Sequence, residues 1–328
     1  MSPLRKSIAI SFLSLSIGIL IGFGIYYRFI DSKQLGILVE TRNKQNYQFI
    51  NPLLECDNNM ASDDLNLNSL KHKIEGFLDN EIEAKHISLA SIYYRDLNNG
   101  PWFGINEREL FSPASLVKVP LMIAYLKASE SDPNILNQQL TNTKTYNPKE
   151  QNIAPDEVIE DNKSYTIDDL IRRMIVYSDN LAYDLLSENM EDQKIVQVFK
   201  DLDVDISQAY TDPNGNILSV KDYASFFRIL FNSSYLSKAN SEKALHLLSQ
   251  TTFKNGIVAT LPKNIITSHK FGERYYTANQ ERQLHDCGIV YSPNKPFLIC
   301  IMTRGSDFNT LSNTIKQISS MVYQKNSK

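Results

Sequence analysis

The chain is expected to fold as an α+β domain: an antiparallel sheet of about five strands, terminal helices on one face, and an all-helical insert. Three observations lead there. Strand-like segments rich in β-branched and aromatic residues lie at 87–106 and again at 265–303. A long stretch of capped, helix-periodic sequence separates them. Amphipathic helical patterns lie at both ends of this region, at 67–85 and 310–324. Strands from the two ends most simply complete one sheet, which makes the helical middle an insertion.

The N-terminus is set apart from that domain. Arg5 and Lys6 precede a largely apolar run over residues 8–27, long enough at about 20 residues to span a bilayer as a helix. Tyr26 and Tyr27 stand at its end as interfacial anchors, and the leading positive charges place the N-terminus in the cytoplasm. Residues 1–30 are therefore expected to be a single-pass membrane anchor, with a cleaved signal peptide as the alternative. Either way the remainder is exported. Residues 31–65 are polar and read as a stalk, although Phe49-Ile50-Asn51-Pro52 is apolar enough to dock on the domain at 66–328.

The domain elements follow in order. Residues 67–85 carry Leu70, Ile74, Leu78 and Ile82 at four-residue steps, an amphipathic helix. Residues 87–94 and 102–106 form a hairpin across an Asp96-Leu97-Asn98-Asn99-Gly100-Pro101 turn. Residues 113–125 are apolar on every side except for Lys118, which marks a buried helix. A polar stretch without periodicity runs from 129 to 163. Thr166 then caps a helix, with Asp169 in the capping-box position. Further helices are expected at 181–189, 195–199, 219–232 and 241–249. Strands at 265–271, 284–291 and 297–303 and a helix at 310–324 close the chain.

Composition narrows the function. With 42% hydrophobic residues in 328 there is material for a large core, and a net charge of −3 leaves no basic footprint for nucleic acid. The three cysteines, Cys56, Cys287 and Cys300, are too few for a disulfide framework. Cys287 and Cys300 fall on neighbouring strands, where a bridge is possible, but two small buried hydrophobes is the favoured reading. The five histidines lack ligand spacing, and no metal or organic cofactor is implied.

Chemistry enters with Lys118. Burying an ammonium without partners is expensive, and helical spacing puts Lys118 on the same face as Ser115. A desolvated lysine has a lowered pKa and can act as a base, so Ser115 is a candidate nucleophile. A snorkelling lysine beside an unrelated serine is the alternative. Two more short motifs follow: Ser178-Asp179-Asn180 between two helices, and Lys270-Phe271-Gly272 on the first strand after the helical stretch.

In this order and setting, Ser115-x-x-Lys118, Ser178-Asp179-Asn180 and Lys270-Phe271-Gly272 resemble the penicillin-recognising serine hydrolases. The segment Phe111-Ser112-Pro113-Ala114-Ser115-x-x-Lys118-x-Pro120 is most similar to the class A β-lactamases. The resemblance spans residues 67–328 and implies that fold. It also implies acyl transfer from a β-lactam or a peptidoglycan stem peptide. Ser115 would form an acyl-enzyme, Lys118 would take its proton, and Ser178 would pass a proton to the leaving nitrogen. Asn180 would hold the substrate amide, and Lys270 would add positive potential and help depress the pKa of Lys118. The strand residues Phe271, Gly272 and Glu273 would line the substrate, with the Ser115 and Glu273 N–H groups as the oxyanion hole. A non-catalytic β-lactam sensor or cell-wall-binding homologue is the rival reading.

Two departures accompany the resemblance. Phe271 stands where the family has Thr or Ser, so Arg274 or Arg304 is the candidate partner for a substrate carboxylate. The glutamate loop that serves deacylation is missing. Asp212, within Asp212-Pro213-Asn214-Gly215, is the nearest substitute, although the string is first a turn signal.

Overall fold

The computed structural model describes residues 47–52, 65–98, 100–293 and 295–327. The apolar run at 8–27 and Cys56 lie outside them, so the expected anchor is not part of the described structure. Among the described residues no helix is long and apolar enough to cross a membrane.

Five strands form one antiparallel sheet in the order β2-β1-β9-β8-β7: β1 (Leu89–Asp96), β2 (Trp102–Ile105), β7 (Thr267–Tyr276), β8 (Glu281–Val290) and β9 (Phe297–Gly305). The central strand β9 reads Phe-Leu-Ile-Cys-Ile-Met because both its faces are covered. Phe297, Ile299 and Ile301 pack with Leu70, Ile74 and Leu78 of α1 (Leu65–Glu83) and with Leu311, Ile315, Ile318 and Val322 of α8 (Phe308–Asn326). Leu298, Cys300 and Met302 face the helical insert. Ile82, expected on the buried stripe of α1, is 40% exposed in the last turn of the helix.

The insert holds α2 (Lys118–Ala128), α3 (Ile167–Val176), α4 (Asn180–Glu188), α5 (Asp192–Asp201), α6 (Val220–Asn232) and α7 (Lys238–Ser249). It is not all-helical. Two short ribbons also form, β3 (Leu110–Phe111) with β6 (Leu218–Ser219), and β4 (Gln139–Thr141) with β5 (Ser164–Thr166). Two- and three-residue ladders are too short to show a period-two pattern, which is why the sequence does not announce them. The favoured reading of the cysteines is also corrected. Cys287 of β8 and Cys300 of β9 are directly opposite each other and form a disulfide. Register, which brings the two side chains face to face, decides that, and composition does not.

Part of the expected stalk belongs to the domain. Phe49 and Ile50 are buried, and the Glu242 carboxylate of α7 accepts the backbone N–H groups of Gln48, Phe49 and Ile50 at 2.8–3.1 Å.

Candidate active site

Ser115 lies in a single 3-10 turn (Ala114–Val117) that runs directly into α2, where nine consecutive residues from Lys118 to Leu126 are buried. The turn is fixed from three sides. Tyr223 of α6 donates to the Leu116 carbonyl at 3.2 Å, and His285 Nε2 of β8 lies 3.0 Å from the Ser112 carbonyl. The third is Gly272 of β7. A Cβ there would lie 3.0 Å from the Pro113 carbonyl oxygen and 3.2 Å from the Leu116 nitrogen, so only glycine lets the strand approach this closely. Ala114 is left-handed at φ 46°, a conformation that a β-carbon makes costly and the surrounding packing imposes.

Lys118 is 1% exposed and its Nζ is fully occupied. It donates to the Ser178 carbonyl at 2.7 Å, to Ser178 Oγ at 3.1 Å and to Asn180 Oδ1 at 2.7 Å. Burial pulls its pKa down to about 7, against the opposing fields of Asp179, Asp184 and Glu273. Lys270 was expected to contribute to that depression, and repulsion between two neighbouring ammonium groups acts on both. Lys270, 0% exposed, is itself held well below the ordinary lysine value, first by burial and then by the charge of Lys118. The two amines share one acceptor, since Lys270 Nζ donates to Ser178 Oγ at 2.9 Å. A hydroxyl held between two lysines of low proton affinity is well placed to pass a proton on.

Ser178 is also left-handed, at φ 59°, and it turns the chain between α3 and α4. Asp179 makes that turn possible. One carboxylate oxygen caps α4 through the Leu181 and Ala182 N–H groups at 2.9 and 3.3 Å, and the other accepts the Ile159 N–H at 2.8 Å. Burial raises its pKa, and those N–H groups and Lys118 oppose the rise. Asp179→Ala is expected to lower stability by about 2–3 kcal/mol, through the lost cap and the stranded Ile159 N–H. Chemical denaturation of the variant checks this.

The structure thus brings Ser115, Lys118, Ser178, Asn180, Lys270 and Gly272 together, across three elements far apart in sequence. Other candidates are placed differently. Phe271 points to the opposite face of β7 and stacks on Phe253 at 4.1 Å, 5% exposed, so it does not line the cleft as a free binding surface. Its ring edges the site only from behind, 4.3 Å from Lys270 Nζ. Arg274 shares the Lys270–Gly272 face by strand alternation and is exposed over the Tyr276 ring. Arg304, the other candidate for a substrate carboxylate, makes contacts within the fold. Its guanidinium donates to the Leu110 carbonyl and, at 3.3 Å, to Asn216 Oδ1, and it covers the Phe111 ring. Asp212 is likewise a turn former. Its Oδ1 accepts the Asn214 and Asn216 N–H groups at 2.7 and 3.1 Å, which commits that oxygen to its own loop and not to Ser115 or Lys118.

Two contacts carried no sequence signal, because they come from the aperiodic polar stretch. Gln151 is buried and donates from Nε2 to the Ser178 carbonyl at 3.2 Å. The Glu273 carboxylate accepts the Asn152 N–H at 2.8 Å, the Asn152 side-chain amide at 2.6 Å and the Ile153 N–H at 3.4 Å. Among the described residues no three His, Cys, Asp or Glu side chains converge as metal ligands would.

A family model described as the beta-lactamase enzyme family matches residues 71–325. Among curated proteins no match is found. Several solved structures are similar. PBP-A, in a point mutant solved as an acyl-enzyme complex with penicillin G, is 23% identical, with a TM-score of 0.64 over 79% of this chain and 96% of its own. TLA-3 extended-spectrum beta-lactamase is 18% identical, with a TM-score of 0.68 over 80% and 99%. A class A beta-lactamase from Bacteroides cellulosilyticus is 18% identical, with a TM-score of 0.65 over 79% and 98%.

Proposed function

The chain belongs to the beta-lactamase enzyme family and is a serine hydrolase, and from that premise we propose that it acylates itself on Ser115 with β-lactams or D-alanyl peptides and deacylates slowly. The observation that carries the first half is the shared hydroxyl: Lys118 and Lys270 both donate to Ser178 Oγ, at 3.1 and 2.9 Å. Ser115 Oγ attacks the carbonyl carbon and its proton passes to the neutral Lys118 amine. The C–N bond then breaks, and Ser178 delivers a proton to the leaving nitrogen while recovering one from Lys118. The Ser115 and Glu273 N–H groups stabilise the oxyanion. Each such donor commonly contributes about 3 kcal/mol.

The second half rests on the turn that absorbs Asp212. Its Oδ1 is committed to two backbone N–H groups, which supports reading Asp212 as a turn former and not as the substitute for a glutamate that would activate a water for the ester. The acyl-enzyme therefore outlives that of an efficient β-lactamase, which favours a peptidoglycan D,D-peptidase or a β-lactam sensor. An exported domain held at the membrane by residues 8–27 fits that role.

Labelled penicillin tests both halves. The wild-type domain should form a one-to-one covalent adduct that persists over many minutes, and Ser115→Ala should form none. An adduct retained in Ser115→Ala would refute the nucleophile, and rapid product release would refute slow deacylation.

A further inference from the structure

Residues 151–153 bridge the two elements that flank Ser115. At one end Gln151 Nε2 holds the Ser178 carbonyl at 3.2 Å. At the other, the Glu273 carboxylate gathers the Asn152 N–H, the Asn152 side-chain amide and the Ile153 N–H at 2.8, 2.6 and 3.4 Å. Glu273 directly follows Gly272, the residue that seats β7 against the Ser115 turn. Glu273 lies on the edge strand β7, and its carboxylate spans from there to the segment at residues 152–153. β7 is an edge strand of the sheet, and this bridge covers its outer side beside the nucleophile. Ile153 packs partly buried against the core on that side and steadies the same segment.

A second observation concerns an unpaired polar atom in the same segment. Gln151 is 9% exposed and its Oε1 is buried with no hydrogen-bond partner. An unpaired buried acceptor costs about 1–3 kcal/mol. It is tolerated where a bound molecule supplies the donor, and the neighbouring Ser178 places that donor in the acyl-transfer cleft.

We propose that residues 151–153 form a latch, closed by Glu273, that limits the bulk of the acyl donor reaching Ser115 and presents Gln151 Oε1 to an N–H of that donor. This rests on the acyl-transfer reading above. Closed, the latch narrows the cleft between Ser178 and β7 and admits compact donors, such as an unsubstituted D-alanyl peptide. Bulky acylamino side chains enter only when it opens. Glu273 then acts through its side chain as a positioning residue, separately from its backbone N–H.

Asn152→Asp opens the latch without altering any residue that touches the reacting atoms. It replaces the strongest side-chain donor by a carboxylate facing Glu273, and like charges repel. Two measurements on the full chain test the idea. Trypsin cleavage after Lys149, located by mass spectrometry, reports the segment independently of activity. It should become at least about tenfold faster in the variant, the scale expected for losing a hydrogen bond to a charged group. The second measurement is the acylation efficiency for a bulky penicillin divided by that for a compact D-alanyl thioester. That ratio should rise by about fivefold, through the apparent binding constant and not the limiting acylation rate. Unchanged cleavage after Lys149 would overturn the latch. Faster cleavage with an unchanged ratio would overturn its selectivity. No adduct with either donor in the wild type would instead refute the acyl-transfer reading, and the selectivity with it, while the trypsin comparison still reports on the latch.

Discussion

Lys118→Met should lower the rate of acylation by about 10²–10⁴-fold, the usual contribution of a positioned general base. The wild-type rate should climb through pH 7, as the buried amine loses its proton, and level off above it, because its pKa is held at about 7. The variant's residual rate should lack that ascending limb. The same substitution should change how stability depends on pH. In the folded wild type the ammonium is forced into a dry site, whereas in the unfolded chain it titrates near 10.5. The folded pKa lies below the unfolded one, so the penalty is complete below pH 7 and fades as pH rises from 7 towards 10.5. The melting temperature of the methionine variant relative to that of the wild type should therefore be highest at pH 6 and should fall as the pH rises towards 10.5. An acylation rate independent of pH in the wild type would remove Lys118 from the mechanism.

Gly272→Ala is the second large effect. Its new Cβ would meet the Pro113 carbonyl at 3.0 Å and the Leu116 Cγ at 3.1 Å. Neither neighbour can withdraw easily. The carbonyl belongs to the turn that carries Ser115 and already accepts the Leu116 N–H at 2.9 Å, and Leu116 is 0% exposed. The strand must then shift away from the nucleophile by a few tenths of an ångström or more. Overpacking of this kind costs about 1–3 kcal/mol in stability. The effect on acylation should be larger, about 10²-fold, because the strand supplies an oxyanion donor and misplacement at that scale disrupts near-attack geometry. Stopped-flow acylation set beside denaturant unfolding separates the two quantities. A variant that loses stability but acylates normally would show that β7 does not align the oxyanion site.

Much of this protein was legible in its residues. The capping signals worked because they are local: Thr166 accepts the Asp169 N–H and Ser219 the Asp222 N–H, each within one turn. Strand identity was legible in β9, where apolar residues on both faces announce a doubly covered strand. The motifs were legible as strings, and the structure brings Lys118 and Lys270 onto the Ser178 hydroxyl while Asn180 Oδ1 accepts from Lys118 Nζ.

What stayed hidden depends on partners distant in sequence. A cross-strand disulfide needs the register of β8 against β9, which pairs Cys287 with Cys300. The roles of Phe271 and Arg304 turned on which face or neighbour each side chain meets: Phe253 behind the sheet for one, Leu110 and Asn216 for the other. Gln151 and Asn152 sit in a polar stretch with no periodicity, so nothing local points to Ser178 or Glu273.

From the chain alone came the order of the longer helices and strands, the caps and the five-stranded antiparallel sheet, all of which follow from short-range periodicity and residue type; the candidate reactive residues came from the motifs and the family they resemble. The tertiary structure alone supplied the acceptor that the two buried lysines share and the partners of the Glu273 carboxylate. Those answers depend on burial and on hydrogen-bond partners up to 121 residues apart, as for Asn152 and Glu273, and neither is written in any local stretch of chain.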